Sequence, residues 1–193
     1  MLSHPGLMRI YTRTGDDGST GRLYGGRIAK TDPVMETGGD VDEVVALLGV
    51  ARAATSERAS DDTQTAETIL RLQRELFVLG ADLAANPDHR DRLDPGVSLV
   101  TEEMVTGLEE LIDELVAARP LKPVFVIPGA TSTGATLDHA RAVARRAERH
   151  ALAAREAGGQ VSDAVGRYLN RLSDLLFVLA RHAAGETEEP TTR

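Results

Sequence analysis

The chain has 193 residues, 22 Lys and Arg against 30 Asp and Glu, and so a formal net charge of -8. It is 41% hydrophobic but only 3% aromatic, with neither Trp nor Cys. That composition fits one globular domain, disfavours a barrel or sandwich built on aromatic and β-branched residues, and excludes disulfides, thiolate zinc sites and a cysteine nucleophile. The acidic balance argues against general binding of nucleic acid or anionic membrane, which needs a summed positive field. The opening MLSHPGLMRI lacks the apolar core of a signal peptide, and no run approaches the ~18 apolar residues of a membrane span. A cytoplasmic protein is expected.

Residues 9–39 hold seven glycines among many Thr, Ser and Asp and read as a loop. After Pro33, the spacing of Val41, Val44, Val45, Leu48 and Ala51 predicts a helix over about 40–56. The polar stretch 57–65 reads as a connection. Ile69, Leu72, Leu76, Leu79 and Leu83 then repeat every three or four residues, the seam of a second helix that ends before Asn86-Pro87. Thr101 precedes Glu102 and Glu103, an N-cap with first-turn carboxylates, and Met104, Leu108, Leu111 and Leu115 form a third stripe stopped by Pro120 and Pro123. The run VFVIPG is the one strand candidate.

A fourth helix is expected over about 132–157, with Ala140, Ala144, Ala147 and Ala151 permitting close approach and Gly158-Gly159 ending it. A fifth covers about 160–184 and carries Val165, Tyr168, Leu169, Leu172, Leu175, Leu176 and Leu179. The final residues, 185–193, read as a flexible polar tail. The expectation is one all-α domain over 1–193: a glycine-rich leader loop at 9–39, then a five-helix bundle over about 40–184.

Three segments could carry chemistry. The leader's TRTGDDGST presents backbone N–H groups, hydroxyls and small side chains suited to a phosphate chain, with Lys30 as a cation nearby. It lacks the G-x-x-x-x-G-K-[ST] pattern, and glycines that merely make turns would look the same. On the fourth helix Arg141, Arg145 and Glu148 share a face beside the alanine stripe, with Arg149 flanking; they are either a solvated face or an anion clamp at an interface. On the fifth, Asn170 and Asp174 share a polar face. The five histidines form neither H-E-x-x-H nor paired Glu-x-x-His motifs, so a divalent cation carried by phosphates is more plausible than a protein cage.

Taken together, IYTRTGDDGSTG with GGRIAK, GDVDEVVALLG, and FVIPGA followed by LDHARAVARRAER and YLNRLSDLLFVLAR resemble the PduO-type ATP:cob(I)alamin adenosyltransferases over about residues 10–182. The resemblance implies a ferritin-like five-helix bundle assembled as a homotrimer, with an active site at each subunit interface. It implies transfer of the 5'-deoxyadenosyl group of ATP to the cobalt of cobalamin, with release of triphosphate. It places Thr12, Arg13, Thr14, Gly15, Asp16, Gly18, Ser19 and Thr20 around the triphosphate and its Mg, with Lys30 as a further contact. Arg145, Glu148 and Asn170 of a neighbouring subunit would complete the nucleotide site. Asp42 would pair across the interface with Arg141, and Phe125 would close the lower face of the corrin, excluding an axial ligand so that Co(II) becomes easier to reduce.

Arg145, Lys30 and Phe125 are thus the implied catalytic set, with Mg held mainly by ATP phosphates. A flavin-dependent reductase and an adenosylcobalamin-dependent enzyme are the implied transient partners. Three positions depart from the family pattern: Asp17 where Lys is common, Gly38 where an aromatic often stands, and Ala130 where Gly is usual. A nucleotide sensor or cobalamin carrier would keep the loop and clamp without turnover, and a helical scaffold would keep only the bundle.

Overall fold

The first helix begins at a proline. Asp32 Oδ1 accepts from the Val34 N–H at 2.9 Å, and Pro33, whose missing N–H is no loss in a first turn, opens α1 at Pro33–Ser56. The computed structural model describes residues 11–56 and 63–191. The helix therefore starts seven residues before the expected 40, and it runs through Gly38-Gly39 because tertiary contacts outweigh glycine's weak helix propensity. Thr37, on the added turns, and Asp40 just after them are both buried, and Thr37 Oγ1 donates to the Pro33 carbonyl at 2.9 Å.

The leader is more than a loop. Ser19–Gly21 (β1) and Arg27–Ala29 (β2) pair antiparallel with Thr20 opposite Ile28, three-residue strands too short to announce themselves by alternation. The hairpin is tied to the bundle where the Leu23 N–H donates to the Ala84 carbonyl at 2.8 Å and the Asn86 N–H to that of Leu23 at 2.9 Å.

α2 spans Thr63–Ala84, so residues 63–65 of the expected connection are helical; residues 57–62 of it lie outside the described residues. A 3-10 turn over Pro87–Arg92 follows, and Thr101 caps α3 (Glu102–Ala118) as expected, its Oγ1 accepting from the Met104 N–H. Val126–Ile127 (β3), α4 (Ser132–Glu156) and α5 (Asp163–Ala184) complete the expected elements.

The five helices form a bundle in which α1 packs on α2 and α4, α4 on α5, and α5 on α3. Ala140, Ala144, Ala147, Ala151 and Ala154 are all buried along α4, which lets its backbone approach α1 and α5 closely. At Gly134 a Cβ would stand 3.2 Å from the Ala180 carbonyl, so only glycine sits easily at that crossing. The apolar stripes of α2 and α5 meet in one core with Val44, Leu48, Leu108 and Leu137. Asp82, 1% exposed, is held inside this scaffold by Arg90 at 2.6 Å and by the Val100 N–H at 3.0 Å.

The last residues do not simply trail away. Gly185–Thr187 make a 3-10 turn, and Glu189–Pro190 (β4) pair antiparallel with β3, setting Val126 opposite Pro190 and Ile127 opposite Glu189. Polar composition read alone hides this pairing, because its partner lies some sixty residues earlier in the chain.

Candidate active site

Within the leader, Lys30 comes close to Gly15 and Gly18. Lys30 Nζ would lie 3.2 Å from a Cβ on Gly15, and the Lys30 N–H donates to the Gly18 carbonyl at 2.9 Å. Gly18 has φ 83° and Arg13 φ 62°, left-handed positions that turn the leader chain. Thr12 and Thr14 hydroxyls lie 2.8 Å apart, and Thr12, Arg13, Thr14 and Asp16 are exposed. Arg27, which sequence reading passed over, organises the turn: it donates to Ser19 Oγ at 2.7 Å and to the Thr14 carbonyl, and stands 3.3 Å from Asp17. Asp17 itself accepts from the Ser19 N–H at 2.9 Å and hydroxyl at 2.8 Å. Those bonds, with Arg27, hold its carboxyl below the usual carboxylate range.

On the helices, Asn170 Nδ2 donates to Glu148 Oε1 at 2.9 Å, joining two expected nucleotide residues across the α4–α5 packing. Arg171 donates to Asn170 Oδ1 at 2.7 Å and to Glu109 at 2.7 Å, so Asn170 belongs to a network rather than to an idle polar face. Arg145 is exposed, one turn before Arg149, whose guanidinium donates to the Arg145 carbonyl at 2.9 Å. Among the described residues no hydrogen bond or ion pair joins the leader to Arg145, Glu148 or Asn170.

A cleft of about 940 Å³ opens between α3, the 121–128 segment, α4 and α5. Its walls include Ile112, Val116, Phe125, Arg141, Phe177 and Arg181, an apolar lining with a few charged groups of the kind that holds a large organic ligand. Phe125 is 86% exposed at this cleft and so is not a core residue. Arg141 places its guanidinium 5.5 Å from the Phe177 ring centre and Arg181 does so at 5.1 Å, so one aromatic face orders two cations. Asp42 is exposed on α1, and among the described residues it makes no ion pair with Arg141.

Its buried neighbour Asp40 is paired instead, 2.8 Å from Arg146 and 2.7 Å from His150 Nδ1. Hydrogen bonds to Asp40 and Glu43 raise the Arg146 guanidinium further above its ordinary value, fixing its charge in the α1–α4 contact. Sequence could have flagged Asp40 and Arg181 alike, since each is a charged residue on an otherwise apolar helical face and so requires a partner.

Bundle, hairpin leader and mixed apolar and charged cleft define a ligand-binding helical bundle. The family model of cobalamin adenosyltransferase matches residues 10–183. The chain belongs to that family. It is 42% identical over 182 residues to a corrinoid adenosyltransferase of Mycobacterium tuberculosis, covering 92% of this chain and 89% of that protein. It is 40% identical over 174 residues to one of Bacillus subtilis, covering 90% and 86%. Among solved structures, a phenylalanine-to-alanine variant of the PduO-type ATP:corrinoid adenosyltransferase of Lactobacillus reuteri, complexed with cobalamin and ATP, superposes with a TM-score of 0.80 at 31% identity, covering 94% of this chain and 97% of that one.

Proposed function

We propose that this chain is an ATP:corrinoid adenosyltransferase: it transfers the 5'-deoxyadenosyl group of ATP to cob(I)alamin, forming adenosylcobalamin and triphosphate. The observation that carries the reading is the cleft whose lining contains both Phe125, which the family resemblance sets against the lower face of the corrin, and Arg141, which it pairs with Asp42 across the subunit interface. Cobalt(I) is itself the nucleophile. The cobalt–carbon bond forms at C5' as the C5'–oxygen bond breaks, and triphosphate leaves with the electron pair.

The protein therefore needs no acid, base or covalent residue; it needs alignment and stabilisation of the leaving charge. Lys30 and the leader N–H groups meet the second need from one subunit, and Arg145 with the Glu148–Asn170 pair from a neighbour. A homotrimer with shared sites is supported by the two sets sharing, among the described residues, no hydrogen bond or ion pair within one chain. Magnesium would ride on the triphosphate, whose oxygens supply the hard ligands it takes. Among those residues no helix is long and apolar enough to cross a membrane, and a cytoplasmic enzyme served by a flavin-dependent reductase and handing its product to an adenosylcobalamin-dependent enzyme fits this chemistry.

Anaerobic incubation with ATP, Mg and chemically reduced cobalamin tests the reading. Light-sensitive adenosylcobalamin and intact triphosphate are the expected products. Nucleotide or cobalamin binding without a cobalt–carbon bond would mark a sensor or carrier instead.

A further inference from the structure

Beyond α5 the chain turns back and reaches β3, the strand that directly follows Phe125. The Thr191 N–H donates to the Phe125 carbonyl at 2.9 Å, next to the β3–β4 pairs. Glu186 binds the start of the segment that leads to Phe125, accepting from Arg119 at 3.0 Å and from Lys122 at 2.9 Å. Between these two attachments Glu188 turns inward. Its side chain is only 10% exposed, and Oε1 lies 2.7 Å from Nε of Arg181, whose side chain is equally buried. The same guanidinium pairs with Asp138 of α4 and covers Phe177, both of which line the cleft.

A two-residue strand at a chain end, paired with another two-residue strand, would fray by itself. Taking a carboxylate out of water is unfavourable unless its charge is met, so a buried Glu in this segment is a pin that fixes one register. The stretch it supports is exposed from Lys122 through Phe125 and contains no helix. Phe125 thus depends on the segment behind it for a defined position.

We propose that Glu188 is a positioning residue: its buried pair with Arg181 seats residues 186–191 as a strap that fixes β3 and the adjoining Phe125 at the mouth of the cleft. The catalytic consequence rests on the assignment of that cleft to the corrinoid; the strap itself does not.

The test compares Glu188→Ala, Glu188→Gln and Phe125→Ala in the full-length protein. Hydrogen exchange at the amides of 124–127 should rise at least about tenfold in Glu188→Ala, because a buried guanidinium loses one of its two carboxylates, while exchange within α1 and α4 stays as in wild type. Glu188→Gln, which keeps an acceptor oxygen in place, should largely restore protection. In turnover, Glu188→Ala should lose at least about fivefold when the assay starts from Co(II)alamin with a flavin reductant, and much less when Co(I) is generated chemically, the pattern of a misplaced wall rather than a lost binding site. Should Glu188→Ala fail to fold, Thr191→Pro removes the N–H that holds the Phe125 carbonyl without touching a buried charge, and the same two readouts apply.

Unchanged exchange at 124–127 overturns the strap, whatever Phe125 does. Raised exchange with wild-type turnover from Co(II), in a protein whose Phe125→Ala variant is impaired, overturns the positioning role. A silent Phe125→Ala variant instead overturns the corrinoid reading of the cleft and the catalytic consequence with it, and raised exchange in Glu188→Ala would then mark the strap as structural only.

Discussion

Lys30 lays its ammonium against the bare backbone of Gly15: a Cβ there would stand 3.2 Å from Nζ and 3.1 Å from the Ser19 carbonyl. The side chain could swing aside, but the carbonyl belongs to the β1–β2 hairpin and could not. Gly15→Ala should therefore raise the KM for ATP several-fold with little change in Tm, because Gly15 is not part of the core cluster. Lys30→Ala removes a charge-assisted contact and should lower kcat/KM for ATP by about 1.5–3 kcal/mol. Wild-type ATP kinetics in both variants would show that this loop does not hold the triphosphate.

Asp17 stands where the family commonly has Lys, and its negative charge is met by the Ser19 N–H and hydroxyl and by Arg27. With its carboxyl held below the usual range, the bonded turn is fully present at any pH above the unfolded value of about 3.9. It is lost only as pH falls through the lowered folded value. A carbon-13 titration of the Asp17 carboxyl should give a midpoint below that of the denatured chain; an equal or higher midpoint would mean that the turn is not formed in solution.

Asp42 is exposed on α1 while Arg141 faces the cleft from α4, an arrangement suited to a pair formed between two copies. Each single alanine change should strongly impair cobalamin use and the double change only slightly more, since breaking a desolvated pair leaves one charge uncompensated. Additive losses in the double-mutant cycle would separate the two residues.

The helices were legible because each carries its own signal: the 3–4 spacing from Ile69 to Leu83, the Thr101 cap, and the Gly158 stop, where φ is 88°. The start of α1 was readable too, as Asp32-Pro33, but Gly38-Gly39 weighed against it, and the contacts that overrule those glycines come from α4. Arg27 gave no local sign, since its partners sit on the opposite strand and turn. The cleft was hidden for the same reason on a larger scale. Arg181 and Asp138 meet only once α5 packs on α4, and Arg119 and Glu186 only once α5 packs on α3.

Asp82 tests the scaffold apart from the chemistry. It is buried, held by Arg90 and the Val100 N–H, and far from neutral surroundings that would tolerate an orphaned guanidinium. Asp82→Ala should destabilise the protein by about 3–5 kcal/mol and lower Tm, with turnover per folded molecule retained below the transition. A specific loss of turnover with unchanged Tm would place Asp82 in the chemistry instead.

Phe125 separates stability from function. A core phenylalanine truncated to alanine costs about 3–5 kcal/mol, whereas substitutions at exposed positions usually stay within about 0.5 kcal/mol. At 86% exposed, Phe125 belongs with the second group, so Phe125→Ala should melt close to wild type. An apolar side chain kept in water at the edge of a large cleft gains its contacts only when the ligand arrives. If it displaces the axial ligand of cobalt, its removal should abolish most turnover started from Co(II) with a flavin reductant. Turnover from chemically generated Co(I), which has already passed that step, should fall much less. Equal losses from both starting states would make Phe125 a general binding contact for the corrinoid, and the step that strips cobalt of its axial ligand would have to be assigned to another wall of the cleft, of which Phe177 is the remaining aromatic.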